Sequence, residues 1–349
     1  MIKIGSVSLD SPVAMAPMAG MTDTAFRRLV KRQGGCGLVV TEMVSSEGLV
    51  RGIDRTLEYA EYTEEERPVS IQIFGGDPQK MAHAAQIVEA MGADIVDINM
   101  GCPVPKIAKH HAGCSLMRDP SHAAAIISAM AKAVKIPVTV KMRAGWNEHD
   151  INAPTMARMA EQAGAAAVAV HGRTAAQSYS GESDWGLIAR VADDVSIPVF
   201  GSGDCVEAEQ VVERLRQSNV AGILVGRGAL RNPWIFKQAA AAALGGHAEP
   251  VPFEARGQFL LDYMDMLIDD RVSEASGFRH IAPGQLFDGP SPEARGRERW
   301  VINKLRALGS WYTKGLEGGA QLRVAINSAR SIPELREMIA VFFHLGRMD

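Results

Sequence analysis

Short apolar runs recur along the first two thirds of the chain, each stopping at polar or small residues and each followed by a segment long enough for a helix. The runs cover 13–16, 38–40, 69–74, 93–98, 138–143, 165–170, 197–200 and 221–225. Runs this continuous indicate strands buried on both faces, hence a parallel sheet. Eight of them, joined by helix-length connections, suit a closed (β/α)8 TIM barrel. An open doubly wound sheet is the competitor. It is disfavoured because the first strand lacks a Gly-x-Gly-x-x-Gly turn and because polar residues follow nearly every strand instead of one switch point. The spacing predicts a helix over 24–33 capped by Thr22 or Asp23, one opened by Asp77-Pro78 with Met81, Ala85, Val88 and Met91 on its apolar face, and one over about 121–134.

After Pro233-Trp234-Ile235-Phe236 the alternation stops. An Ala-rich helix over about 232–244 leads to Gly245-Gly246, which divides the chain into a barrel, 1–244, and a small all-helical domain, 245–349. A charged, Pro/Gly-rich insertion occupies about 276–297, and Ser291-Pro292-Glu293 reads as the start of a long helix. Along it Arg295, Arg299 and Arg306 fall on one face, away from Leu305, Leu308 and Tyr312; that stripe suits a phosphate backbone or simply a solvated surface. Ser331 and Glu334 form a capping box ahead of Met338, Val341 and Phe342.

Composition narrows the class. A net charge of −3 advertises no global affinity for nucleic acid, so any such contact must be local. No apolar run reaches membrane-spanning length, the start lacks the order of a signal peptide, and the chain is expected to be cytoplasmic and monomeric. The 4 cysteines, Cys36, Cys102, Cys114 and Cys205, are too thinly spread for a disulfide framework. Cys102, His110, His111 and Cys114 match no familiar zinc spacing, and no metal is expected.

The chemistry concentrates at strand ends. In Asp97-Ile98-Asn99-Met100-Gly101-Cys102-Pro103 a buried strand leads into a thiol at a rigid turn; the thiol is either reactive or a small buried hydrophobe. Gly201-Ser202-Gly203 and Gly226-Arg227-Gly228 follow the seventh and eighth strands, the usual place for a phosphate in a barrel. Lys141 lies within an apolar strand and needs a partner: an anionic ligand, Glu42 or Asp97. His171 and Arg173 add cations, and Gln72 and Asn99 add amides. Together they describe a site for a large, planar, phosphorylated cofactor, which flavin mononucleotide (FMN) fits.

With these motifs the chain resembles the tRNA-dihydrouridine synthases, most closely their bacterial B-type branch. The matching stretches are Ala16-Pro17-Met18-Ala19-Gly20-Met21-Thr22-Asp23, the Asp97 to Pro103 motif, Val140-Lys141-Met142-Arg143-Ala144-Gly145-Trp146, His171-Gly172-Arg173-Thr174, and Gly226-Arg227-Gly228-Ala229 with Asn232-Pro233-Trp234. The resemblance implies an FMN-dependent barrel with a helical tRNA-binding domain, reducing C5=C6 of selected uridines with NADPH as electron source. It implies that Pro17, Met18, Ala19 and Gln72 touch the flavin ring, with Lys141 at its N1/C2=O edge. Ser202, Gly203, Asp204, Gly226 and Arg227 hold the phosphate with His171 nearby, and Cys102 is the general acid that protonates C5. Asn99 places the uracil, and Lys106, Arg173 and Arg306 are the further residues on the substrate side. Two positions depart from the family pattern: Ser202 replaces an Asn, and Arg306-Ala307-Leu308 replaces Arg-Lys-His.

Two other functions share parts of this pattern. An FMN barrel reductase of a free pyrimidine or enone has similar loops but no need for a helical appendage. A flavin-bound RNA-binding protein has no use for a thiol beside the flavin. A phosphosugar isomerase is a weaker third reading.

Overall fold

The structure is a computed structural model of the whole chain, and it describes residues 2–109, 111–269 and 294–345. Residues 276–293 of the insertion expected over about 276–297, the Ser291-Pro292-Glu293 start and His110 lie outside the described residues, as do the side chains of Arg295 and Arg297.

Eight strands form the barrel: β1 (Val13–Met15), β2 (Leu38–Val40), β3 (Val69–Phe74), β4 (Ile95–Met100), β5 (Val138–Arg143), β6 (Ala167–His171), β7 (Val199–Ser202) and β8 (Gly222–Val225). Each pairs in parallel with its neighbours, and β8 returns to β1 to close the ring. A two-residue strand, Val44–Ser45, extends the pairing along the upper end of β3.

The sequence runs are less uniform than they first look. Val69, Ile71 and Ile73 belong to the core formed with the outer helices, as do Val96 and Ile98, and Val138, Val140 and Met142. The alternate residues form a separate lumen: Leu38, Val40, Ile95, Ala167, Ala169, Phe200 and Leu224 fill it with apolar groups, and Ser70, Asp97, Thr139 and Lys141 line the same space. A hairpin, Ile2–Ile4 paired antiparallel with Val7–Leu9, adds Ile4 and Leu9 to that lumen core.

The helices around the barrel are α1 (Thr24–Gln33), α2 (Pro78–Ala90), α3 (Pro120–Ala133), α4 (Ala153–Gln162), α5 (Trp185–Asp194), α6 (Ala208–Gln217) and α7 (Ile235–Ala243). Of the two caps weighed for α1, Asp23 is used: its Oδ1 accepts the Phe26 N–H at 2.9 Å, while Thr22 Oγ1 accepts the Met18 N–H. The expected helix over 232–244 begins later, at Ile235, because Asn232 ends a separate short helix, Arg227–Arg231.

Among the described residues four helices follow: α8 (Phe253–Ile268), α9 (Ala294–Tyr312), α10 (Gly319–Ser328) and α11 (Ile332–Phe342). Phe259 and Tyr263 of α8 meet Phe26 of α1 edge-on, and the hydrophobic core runs without a break from barrel to bundle. Ser331 caps α11 as expected, but Glu334 bonds the Arg330 N–H, and the buried face is Leu335 and Ile339, leaving Val341 69% exposed. The expected arginine stripe on α9 is corrected too. Arg306 is turned into the bundle, donating to the Ala329 carbonyl at the end of α10 at 2.8 Å; Arg299 is exposed.

Candidate active site

Cys102 sits where β4 leaves the barrel. Gly101 and the proline at 103 prevent the strand from continuing, and a short helix, Pro105–Ala108, starts at once. Cys36, Cys114 and Cys205 are buried, and burial pushes each thiol up to about 12; Cys102 alone of the four is half-exposed. The bland reading of a packed thiol therefore fits the other three.

The loop bearing Cys102 is held from several sides. Asn99 Oδ1 accepts the N–H groups of Gly101 at 3.2 Å and of Cys102 at 2.9 Å. Arg143 Nε donates to the Gly101 carbonyl at 2.8 Å, and the Cys102 carbonyl accepts the Cys114 N–H at 2.9 Å. Gly113 makes this last approach possible, since a Cβ there would lie 2.7 Å from that carbonyl oxygen.

Behind Asn99 runs a chain of buried hydrogen bonds. Asn99 Nδ2 donates to Gln72 Oε1 at 2.7 Å, Gln72 Nε2 to Asp97 Oδ2 at 2.7 Å, and Thr139 Oγ1 to Asp97 Oδ1 at 2.6 Å. Strand register produces it, because Gln72 lies beside Asp97, and Asp97 beside Thr139. A carboxylate only accepts, so Asp97 fixes which end of the Gln72 amide faces Asn99. Burial raises the Asp97 carboxyl, and its bonds from Gln72 and Thr139 oppose that rise.

Cations gather on the other side. Lys141 is beside Asn99 in register, and Arg143 beside His171, which in turn is beside Ser202. Burial, then Lys141, Arg143, Arg173 and Arg227, drive His171 far below the ordinary imidazole range, so the ring is neutral. The long 3.5 Å contact from Arg173 to His171 Nε2 makes that nitrogen the acceptor. Burial and Arg143 push Lys141 down to about 8. Among the described residues it has no hydrogen-bond partner; Asp97 acts on it as a charge, and Glu42, the other partner weighed from the sequence, engages Lys304 instead. Asp204 bridges Arg173 at 2.8 Å and Arg227 at 3.2 Å; burial pushes its carboxyl up, but Arg173, the Ser183 N–H and Arg227 outweigh this and hold it low. Its side chain therefore sets the two guanidiniums, and only its backbone can face an anion.

This arrangement fits a planar, anionic ligand. Below the mouth lies the buried Lys141 ammonium, without a hydrogen-bond partner among the described residues, and Gly203, at φ +130, would carry a Cβ only 2.2 Å from Ser183 Oγ. A small cavity of about 30 Å³, lined by Pro17, Ser70, Asp97, Thr139 and Lys141 among apolar neighbours, lies in the lumen, and Ser70 Oγ is buried there without a hydrogen-bond partner among the described residues. Pro17 and Met18 are half-buried and Ala19 is exposed on the loop after β1; Gly226 approaches Met18. Lys106 is exposed beyond Cys102, and Ser202 is buried at the end of β7.

Sequence reasoning missed Thr139, Ser70 and the bracing role of Arg143. The signal was present as period-2 alternation: Ser70 and Gln72 in β3, Asp97 and Asn99 in β4, Thr139, Lys141 and Arg143 in β5. It also gave the Asn99 amide to the ligands, whereas in the fold both of its ends are engaged by the protein.

Among the described residues, no helix is long and apolar enough to cross a membrane, and no group of three or more His, Cys, Asp or Glu side chains is placed to hold a metal ion.

Solved structures share the fold. Histamine dehydrogenase from Rhizobium sp. 4-9 superposes with a TM-score of 0.53 over 76% of this chain and 50% of its own, at 13% identity. Morphinone reductase does so with a TM-score of 0.51 over 72% and 90%, at 14% identity. Sequence relatives are far nearer. A probable tRNA-dihydrouridine synthase of Rickettsia bellii is 38% identical over 98% of both chains. Proteins named tRNA-dihydrouridine synthase B are 36% identical in Pseudomonas aeruginosa, over 98% of this chain and 96% of that one, and 41% identical in Xanthomonas axonopodis, over 95% and 92%. The family model described as "Dihydrouridine synthase (Dus)" matches residues 14–286. The chain belongs to the dihydrouridine synthase family, in its B-type branch.

Proposed function

We propose that this protein reduces the C5=C6 bond of specific uridines in tRNA, with FMN as its bound cofactor, NADPH as electron donor and Cys102 as proton donor. The observation that carries the reading is the pinned, half-exposed Cys102 at the mouth of a barrel whose adjoining wall is cationic. FMN, where bound, would supply the hydride that C6 of the uracil receives.

The protein's own groups do the rest. Pro17, Met18, Ala19 and Gln72 border the flavin ring. Lys141 places positive charge where the reduced ring gathers negative charge. Backbone groups of Ser202, Gly203, Asp204 and Gly226, with Arg227 and neutral His171, receive the phosphate. Cys102 Sγ gives its proton to C5, and Asn99, through the backbone of residues 101 and 102, fixes where that sulfur stands. Asn99, Lys106, Arg173 and Arg306 remain the residues assigned to the RNA; the structure gives Arg306 a second task at the end of α10.

Residues 1–244 form the catalytic unit and 245–349 the tRNA-docking unit. The target uridine must leave its stack to reach the barrel mouth. The protein works in the cytoplasm as a monomer.

The test is anaerobic reoxidation of the pre-reduced holoenzyme by unmodified tRNA, free uridine or orotate. Reoxidation by tRNA alone, lost in Cys102→Ala, is the expected result. Reoxidation by a free pyrimidine overturns the reading in favour of a small-substrate reductase.

A further inference from the structure

The loop after β1 is held by a side chain from the opposite end of the sequence. Gly20 sits at φ +79, one to three residues beyond Pro17, Met18 and Ala19. Its N–H donates to Glu42 Oε2 at 2.5 Å, and its carbonyl accepts from Lys304 Nζ at 3.1 Å. Lys304 belongs to α9, so the two peptide groups that flank Gly20 are gripped by the barrel on one side and by the helical bundle on the other.

Lys304 is well anchored for this. Its ammonium lies 2.9 Å from Asp23 Oδ2 and 3.6 Å from Glu42 Oε1, and 5.5 Å from the centre of the Trp300 ring. Tyr263 of α8 donates to the same Asp23 oxygen at 2.8 Å. The three charged side chains are 14%, 15% and 6% exposed for Lys304, Asp23 and Glu42. Burial pulls the lysine down, but the two carboxylates outweigh it and hold the ammonium above the ordinary lysine range. Removing that charge leaves two buried carboxylates facing each other and the Gly20 carbonyl without its donor.

Arg299, exposed on α9, lies five residues before Lys304, and Arg306, which the proposed function assigns to the RNA, lies two residues after it on the same helix. The other end of the contact is the loop that the same reading sets against the flavin. We propose that Lys304 is a positioning residue through which the helical domain sets the 17–20 loop, so that docking RNA on α9 alters the surroundings of the bound flavin. The inference rests on the proposed flavin site, and its test separates the two.

The experiment uses holoenzyme as purified, the variants Lys304→Met, Lys304→Arg and Lys304→Met/Glu42→Gln, and unmodified tRNA transcript as the probe. Visible absorption of the bound flavin is recorded with and without saturating tRNA, alongside tRNA affinity, kcat, KM and thermal midpoint. The native protein is expected to show a tRNA-induced change in the flavin spectrum. Lys304→Met is expected to lose that change and about tenfold in kcat while KM and tRNA affinity hold; Lys304→Arg is expected to restore part of both. The double variant removes the carboxylate repulsion, so it should regain thermal stability without regaining the spectral response, and it serves as the test if the single variant does not fold. A spectral response that persists in the double variant, or one absent from the native holoenzyme with tRNA bound, overturns the coupling. A native protein that carries no flavin overturns the underlying function instead.

Discussion

The amide oxygen of Asn99 accepts the backbone N–H of Cys102 at 2.9 Å, and that of Gly101 at 3.2 Å, so one side chain inside the barrel fixes the peptide that carries the proposed proton donor. Asn99→Ala takes the acceptor from both donors, and because they are only half-buried the cost falls below the about 1–3 kcal/mol of a fully buried donor left unpaired. The expected outcome is a fall of about 10²-fold in single-turnover reoxidation by tRNA, since displacements near 1 Å have that effect. The same variant should alkylate Cys102 at an altered rate. An unchanged alkylation rate would show that the loop stands without Asn99.

Asp97→Leu tests the far end of the same chain. Without its acceptor the Gln72 amide is free to rotate and offer N–H to the Asn99 amide. Reoxidation by tRNA should slow while flavin remains bound, and a crystal structure of the variant should show Gln72 or Asn99 turned. Native orientation of both amides would remove Asp97 from the account.

Cys102→Ala removes a general acid, an effect of about 10²–10⁴-fold. Reoxidation by tRNA should fall within that range while tRNA affinity stays level. Equal loss of both would make Cys102 a binding residue.

Lys141 gives the pH dependence. Its folded value of about 8 lies below the ordinary lysine value of about 10.4. Between the two the unfolded chain holds a proton that the folded chain has released, so stability rises with pH across that window; below about 8 the burial penalty is present in full. An anion beside the ammonium raises Lys141 again. Binding of FMN to apoprotein should therefore take up a proton above about pH 8 and weaken as pH rises, and calorimetry in two buffers of different ionisation enthalpy measures it. The uptake should vanish in Lys141→Met; identical uptake there would place the proton elsewhere.

Arg27 and Glu66 form a buried pair at 2.5 Å, 1% and 0% exposed, with Thr24 and Thr63 also donating to Glu66. Arg27→Met leaves Glu66 buried with its charge uncompensated and should cost about 3–5 kcal/mol of unfolding free energy. Denaturant melts measure this, and Arg27→Met/Glu66→Gln should recover a large part of it.

Hydrophobic patterning and turn chemistry are local properties, so the barrel, its strand ends and the placing of Cys102, Lys141 and His171 could be read directly from the order of residues. The same holds for Asp23 and Ser331, whose capping bonds reach only three residues. Arg306 shows the limit. Its helical face was legible, but whether it met solvent or the end of α10 depended on how two helices pack. The lumen hairpin was missed for the same reason, because Ile2–Ile4 and Val7–Leu9 acquire their role only by lying against the closed barrel.

By itself, then, the sequence determined that eight strands alternate with helices and which residue types stand at their ends, because strand and helix periods and glycine and proline turns are set by near neighbours. Only the tertiary structure decided that Asn99, Gln72, Asp97 and Thr139 form one hydrogen-bonded chain, and that Lys304 grips Gly20 from 284 positions away. Hydrogen bonds and ion pairs between distant residues require registers and packing angles that closing the whole barrel and docking the bundle establish together.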